Sequence, residues 1–203
     1  MEGTKRRMGL VGLFAAVAVL AAACGNDSST AAGSGGTAPP AAAPFGTACS
    51  SVPASGNGSF EGMMTQPVAT AAGANPLLKS LVHDLKAAEL VDTLNGADGL
   101  TVFAPTNDAC DAAGAADPDG MEAMMADPTG ALAQLLTYHV VEGQLAPDAL
   151  AGEHTTLQGQ SLTVEGSGEE FTVNGSAMVV CGDIHTDNAT VYIVDQVLHP
   201  PAA

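Results

Sequence analysis

From Thr155 to Pro200 the chain is written in short apolar runs of period two, cut apart by Gly, Asn and Asp. "TTLQG", "SLTVEG", "EEFTVNG", "AMVVCG" and "ATVYIVDQVLHP" each place alternate side chains on opposite faces, the pattern of strands. Strands this short cannot stand alone, so their apolar faces must be buried against another layer. "LTVEGSGEEFTV" predicts a hairpin, with glycines able to take the positive φ of a tight turn.

The covering layer lies in the middle of the sequence. Asn75-Pro76 predicts a helix start, a capping side chain followed by a proline whose missing N–H is not needed at the first helical position. Leu78, Leu81, Val82, Leu85 and Ala88 follow at helical spacing and leave Lys79, His83 and Lys86 to water. "LTVFAPT" (100–106) predicts a strand stopped by Pro105. Thr106 or Asn107 then caps a helix with Asp108 and Asp111 in its first turn, where carboxylates favour the helix dipole. "MEAMM" (121–125) predicts a short helical piece whose methionines fill the core. "TGALAQLLTYHVV" (129–141) predicts a helix capped by Thr129, with Leu132, Leu135, Leu136 and His139 on one face. Helices in the middle and strands at the end predict an α+β domain rather than an alternating βαβ order. Aromatics are 3% of the residues and Trp is absent, so the core must be built largely from Ala, Val, Leu and Met.

"MEGTKRRMGLVGLFAAVAVLAAAC" has the parts of an export signal: a basic stretch, an apolar run, and small residues before Cys24. As a helix the run would be roughly 22 Å long, short of the roughly 30 Å hydrocarbon core of a bilayer. Its end, "LAAAC", resembles a bacterial lipobox, which implies acylation of Cys24; a plain secretory signal is the alternative. Residues 25–48 are small residues and prolines that bury little and predict a disordered tether with a reach of roughly 25 to 30 Å. The expected organisation is a signal peptide over 1–23, a tether over 24–48 with acylated Cys24, and a folded domain over 49–203. Lipid at Cys24 would hold the domain at the extracytoplasmic face of a membrane, with a secreted form also expected. The net charge is −17, and from Cys24 onward 21 acids face two bases. Such a surface repels phosphate backbones, so nucleic acid is not an expected partner.

Three stretches in this order, "TVFAPTNDA" (101–109), "LLTYHVVEGQL" (135–145) and "ATVYIVDQVLHP" (189–200), resemble a fasciclin domain over roughly residues 60 to 201. Within that family the chain resembles the small single-domain secreted and lipid-anchored antigens of mycobacteria. The resemblance implies a wedge of two β-sheets packed beside a group of helices. It implies a role in adhesion or binding to a protein or glycan, with no cofactor and no catalytic residues. It also implies a disulfide between Cys49 and Cys181, because related mycobacterial proteins pair a cysteine ahead of the domain with one in the "VVCG" strand. By chain entropy such a bridge contributes on the order of 4 kcal/mol. In related adhesion proteins the Tyr-His pair and its branched apolar neighbours are linked to integrin recognition, which marks Tyr138, His139, Val140 and Val141 as candidate binding residues. The place of His139 on the apolar face of its helix predicts instead a buried ring hydrogen-bonded to backbone or to Asn107.

Export implies an oxidising compartment, in which Cys49, Cys110 and Cys181 are an odd number. Three roles stay open for Cys110: a buried thiol acting as a small hydrophobe, a mispaired or intermolecular disulfide, and a catalytic or metal-binding thiol approached by distant His139 or His185. A hydrolase using Cys110 or a Ser with His is the alternative function. Against it, the chain lacks G-x-S-x-G and H-E-x-x-H, and Ser167 of "GSGEE" falls in a hairpin turn. "DPDG" (117–120) lacks the further oxygen ligands of a calcium loop and predicts a turn and helix cap, so no metal is expected. Sequons at Asn57, Asn174 and Asn188 matter only in a host with eukaryotic N-glycosylation. A monomer is expected.

Overall fold

The computed structural model describes residues 43–201; the expected export signal, Cys24 and most of the expected tether lie outside the described residues. The helices are α1 (Phe60–Met63), α2 (Val68–Ala74), α3 (Lys79–Ala87), α4 (Val91–Gly96), α5 (Asn107–Ala116), α6 (Pro118–Ala126), α7 (Ala133–Tyr138) and α8 (Pro147–Leu150). The strands are β1 (Leu100–Pro105), β2 (Val140–Glu142), β3 (Gly152–Thr155), β4 (Ser161–Ser167), β5 (Glu170–Val173), β6 (Ala177–His185) and β7 (Ala189–Val194). They pair in the order β2-β1-β7-β6-β5-β4-β3. The β1–β7 pair is parallel and the rest antiparallel.

The parallel pair fixes the layers. Every residue of β1 and β7 is buried, because both faces are covered. Leu100, Val102 and Ala104, with Ala189, Val191 and Ile193, face a core shared with α2, α3 and α4. Phe103, Tyr192 and Val194 face a second core on the other side. That second core lies inside a wedge. Ala177 and Met178 of β6 pair with β5, whereas from Val179 onward the strand pairs with β7, with irregularities in register at Val179/Cys181 and Cys181/Ile184. Bulges of this kind bend and twist a strand, and β6 thereby passes from one sheet into the other. At the opposite corner Val141 bridges Thr156, and the Leu157 N–H donates to Val140 O at 2.8 Å. Leu162 and Val164 of β4 and Phe171 and Val173 of β5 point into the wedge, while Ser161, Thr163 and Glu165 face water.

The fold begins ahead of Cys49. Phe45 is buried and forms an antiparallel bridge to Gly182, with Phe45 N–H to Gly182 O at 3.2 Å and the return bond at 2.8 Å. Its ring lies 5.9 Å from that of Phe171 and 6.5 Å from that of Tyr192. A Cβ on Gly182 would run into this ring, which is why the position needs glycine. A 3₁₀ turn, Thr47–Ser51, follows, and Cys49 within it is disulfide-bonded to Cys181, Cα to Cα 5.0 Å. The tether expected through residue 48 does not extend that far, because from Phe45 an aromatic ring and a strand edge hold the chain.

The helix starts follow their caps. Asn75 Oδ1 accepts from Leu77 N–H at 3.0 Å, and Leu78, Leu81, Val82, Leu85 and Ala88 are buried. Thr106 Oγ1 accepts from Ala109 N–H at 3.1 Å and opens α5. Two expectations fail. Asp127, not Thr129, accepts from Ala131 N–H at 3.3 Å, starting a wide π turn, Pro128–Leu132, that leads into α7. No methionine of α6 is buried; Met121 and Met124 are half-buried and Met125 is 38% exposed, so the helix lies on the surface instead of filling the core.

Candidate functional site

The segment Tyr138–Val141 joins α7 to β2, and all four side chains are buried, at 1 to 3% exposure. They offer a partner no surface, which corrects the expectation of a binding tetrad. Tyr138 Oη donates to Ser161 O at 3.1 Å and accepts from Asn174 Nδ2 at 2.9 Å. Asn174 sits at φ 51° and its Oδ1 accepts from Thr163 N–H at 3.0 Å. Asn tolerates this left-handed conformation better than most residues. Val140 packs into the helix-side core and Val141 into the wedge.

His139 is held through both ring nitrogens. Nε2 accepts from Leu198 N–H at 2.9 Å, and Nδ1 lies 2.8 Å from Leu135 O. An amide can only donate, so the lone pair is on Nε2 and the proton on Nδ1, which donates to Leu135 O. Burial pushes the pKa down to about 4, against a smaller opposing effect of the Leu135 hydrogen bond. The ring is therefore neutral and fully engaged. Asn107 is not its partner: Asn107 Oδ1 accepts from Ser80 N–H at 3.0 Å and Nδ2 donates to Pro76 O at 2.8 Å, tying α5 to the start of α3.

Cys110 is free and half-buried on α5. It lies between an open groove of about 510 Å³, with Lys79, His83 and Met125 at its sides, and a crevice of about 20 Å³ lined by Leu132, Leu135 and His139. Cys110 and His139 thus meet at one crevice, but no hydrogen bond joins them among those of the described residues. Burial first, then the charges of Asp84 and Asp111, push the thiol up to about 12. A thiol that keeps its proton beside a histidine with no free lone pair does not make a nucleophile and base. His185 is elsewhere, its Nε2 3.2 Å from Asp183 Oδ1, and Ser167 faces water in the β4–β5 hairpin. Among the described residues no group of His, Cys, Asp and Glu could hold a metal ion. Asp117 caps α6 by accepting from Gly120 N–H at 3.0 Å.

Polar residues that organise the fold were hidden in the sequence. Asn188 Oδ1 accepts from Val68 N–H at 2.9 Å and its Nδ2 donates to Leu94 O and Ala97 O at 2.8 Å, clamping α2 and α4 to the start of β7. Asp183, 1% exposed and at φ 57°, has neither carboxylate oxygen in a hydrogen bond of acceptable geometry. An unusual φ at a buried acid has no signature in composition or periodicity.

The fasciclin domain family matches residues 76–200. The chain belongs to this family. It is 46% identical over 173 residues to the cell surface glycolipoprotein MPB83 of Mycobacterium bovis, covering 81% of this chain and 76% of that protein. It is 44% identical over 174 residues to the immunogenic protein MPT70 of Mycobacterium tuberculosis, covering 81% and 87%. Protein sll1483 of Synechocystis is 37% identical over 135 residues, covering 66% and 73%. A solved FAS1 domain pair from the insect cell adhesion molecule fasciclin I superposes with a TM-score of 0.60 at 16% identity, covering 68% of this chain and 52% of that one. The helices and mixed seven-stranded sheet are therefore a fasciclin fold. Phe45, Cys49, α1 and α2 all precede the matched residues, so the disulfide staples an N-terminal extension to β6 within the fasciclin domain.

Proposed function

We propose that the chain is a surface-displayed binding module, held to a membrane by lipid on Cys24, whose fasciclin domain recognises an extracellular protein or glycan. The observation that carries this reading is the agreement of two distant features. "LAAAC" ends an export-like leader, and the domain beyond it is closed by the Cys49–Cys181 bridge, a bond kept in oxidising compartments. The name of MPB83, a cell surface glycolipoprotein, supports the same location. Among the described residues no helix is long and apolar enough to cross a membrane, and in this reading attachment rests on Cys24. The protonated Cys110 and the engaged His139 speak against the hydrolase reading.

The test is phase partitioning of the full chain from a bacterial host, with surface labelling of intact cells. Wild type enters the detergent phase and Cys24→Ala stays in the aqueous phase. Lys79 and Lys86 are the only lysines after Cys24, and an impermeant amine reagent labels them on intact cells. Equal partitioning of the two proteins removes the anchor; labelling only after lysis removes surface display.

A further inference from the structure

An asparagine followed by glycine is open to attack on its own side chain, because glycine has no side chain to shield its amide nitrogen. The chain holds three such pairs, Asn57-Gly58, Asn95-Gly96 and Asn174-Gly175, and the fold treats them unequally. Asn95 in α4 has both ends of its carboxamide engaged: Oδ1 accepts from Ala69 N–H at 3.0 Å and Nδ2 donates to Thr70 Oγ1 at 3.1 Å. Asn174 is held in the same way, between Thr163 N–H at 3.0 Å and Tyr138 Oη at 2.9 Å. Asn57 is exposed in a turn that Ser59 N–H closes onto Gly56 O at 3.1 Å. Among the described residues neither its carboxamide nor the Gly58 N–H makes a hydrogen bond.

We infer that Asn57 is a site of spontaneous modification, which converts in the native fold to aspartate and isoaspartate through a cyclic imide. The Gly58 nitrogen gives up its proton to solvent and attacks Cγ of Asn57. A bond from that nitrogen to Cγ forms, the bond from Cγ to Nδ2 breaks, and Nδ2 takes a proton from solvent and leaves as ammonia. One water then opens the ring, so an amide and a water become a carboxylic acid and ammonia with no change of oxidation state. The same step at Asn95 or Asn174 must first break the hydrogen bonds that hold the carboxamide, which slows it. Opening at Cγ gives aspartate and leaves the main chain as it was. Opening at the backbone carbonyl gives isoaspartate, which routes the main chain through Cγ and lengthens it by a carbon. The turn has no room for that carbon: a Cβ on Gly62 of α1 would already meet the Asn57 backbone, and Gly58 lies against the Ala74 carbonyl. Asn57 O also accepts from Gln66 Nε2 at 3.2 Å, just beyond α1. Isoaspartate at this position therefore loosens α1, and either product adds a negative charge to the N-terminal extension.

The test incubates the exported, folded full chain in heavy-oxygen water at neutral pH, beside a urea-unfolded sample of the same chain. Digestion and mass spectrometry then follow each Asn-Gly pair, with isoaspartate separated from aspartate by chromatography. In the folded protein Asn57 converts at least about tenfold faster than Asn95 or Asn174, the weight of the hydrogen bonds that hold the other two. Its product carries heavy oxygen and includes isoaspartate. In urea the three rates come within about threefold of one another, since all three side chains then meet solvent. After the incubation a protease cuts α1 sooner in wild type than in Asn57→Gln, whose longer side chain closes the ring poorly. Equal folded rates at the three sites overturn the proposal. A folded Asn57 as slow as Asn95 and Asn174 also overturns it, by showing that the packing of Gly58 forbids ring closure. Conversion to aspartate alone overturns the cyclic imide, and equal cutting of wild type and Asn57→Gln overturns the loosening of α1.

Discussion

The amide of Leu198 donates to Nε2 of His139 across 59 residues of sequence, at 2.9 Å, and the same ring donates from Nδ1 to Leu135. One imidazole thereby fastens the chain after β7 to the end of α7. The bond exists only while Nε2 is unprotonated.

This gives a pH dependence of defined sign. The folded pKa of about 4 lies below the ordinary 6.5, so the unfolded chain takes the proton first as pH falls. The contribution of the neutral ring is complete above pH 6.5 and is lost as pH drops to about 4, roughly 3 kcal/mol in all. His139→Gln lacks that component. Urea unfolding of both proteins across this range should show a steeper loss for wild type; parallel curves would refute the assignment.

Phe45 and Gly182 should be energetically coupled. Gly182→Ala forces a Cβ into the Phe45 ring and should destabilise by about 2 kcal/mol, the order expected for overpacking. Phe45→Ala should cost about 3 kcal/mol. In the double variant most of the Gly182→Ala cost should vanish, giving a coupling of about 1 to 2 kcal/mol in a double-mutant cycle. Strict additivity would mean that the ring is not what the new methyl meets.

Cys110 should alkylate slowly. A thiol near pKa 12 has roughly a thousandth of the thiolate of an ordinary cysteine at pH 8. Iodoacetamide should therefore modify native Cys110 at least about a hundredfold more slowly than the urea-unfolded, unreduced chain. A native rate close to the unfolded one would restore the reactive-thiol reading.

Asp183→Asn should stabilise the fold at neutral pH. Burial raises the Asp183 pKa, an effect that the nearby His185, with Nε2 3.2 Å from Oδ1, opposes. A folded pKa above the unfolded one means that stability is fullest below the unfolded value and is lost as pH rises through the folded value. Asn keeps the shape, tolerates the positive φ, and carries no charge to strand. The melting temperature of the variant should exceed that of wild type at pH 7 and the difference should shrink in acid; a variant less stable at pH 7 would show that the carboxylate is needed.

Much of the architecture was legible in the sequence because it is periodic. β1 and β7 appear as continuous apolar runs since both faces are buried, and the β4–β5 hairpin announces itself by alternation around glycines. What escaped depends on distant partners. Phe45 is a single aromatic among small residues, and its seat is formed by Gly182, Phe171 and Tyr192. Val140 and Val141 prolong the apolar run of α7, so the switch into β2 was hidden although two adjacent β-branched residues hinted at it. The candidate site was less legible still. Resemblance singled out Tyr138–Val141, but burial is a property of the whole packing, and the same four residues serve as framework. The state of Cys110 is set first by its burial and then by Asp84 and Asp111, and Asp84 comes from another helix.

The disulfide and the Phe45 bridge also set where mechanical load enters. Tension arriving along the chain ahead of Phe45 meets β6 at Gly182 and then the covalent bond at Cys181, near the middle of the sheet order. The two cysteines are 132 residues apart, so the bridge withdraws roughly 450 Å of chain from the length that pulling could draw out. A molecule pulled between its two ends therefore yields little length, with helices α1–α8 inside a closed covalent loop that lies outside the path of that pull.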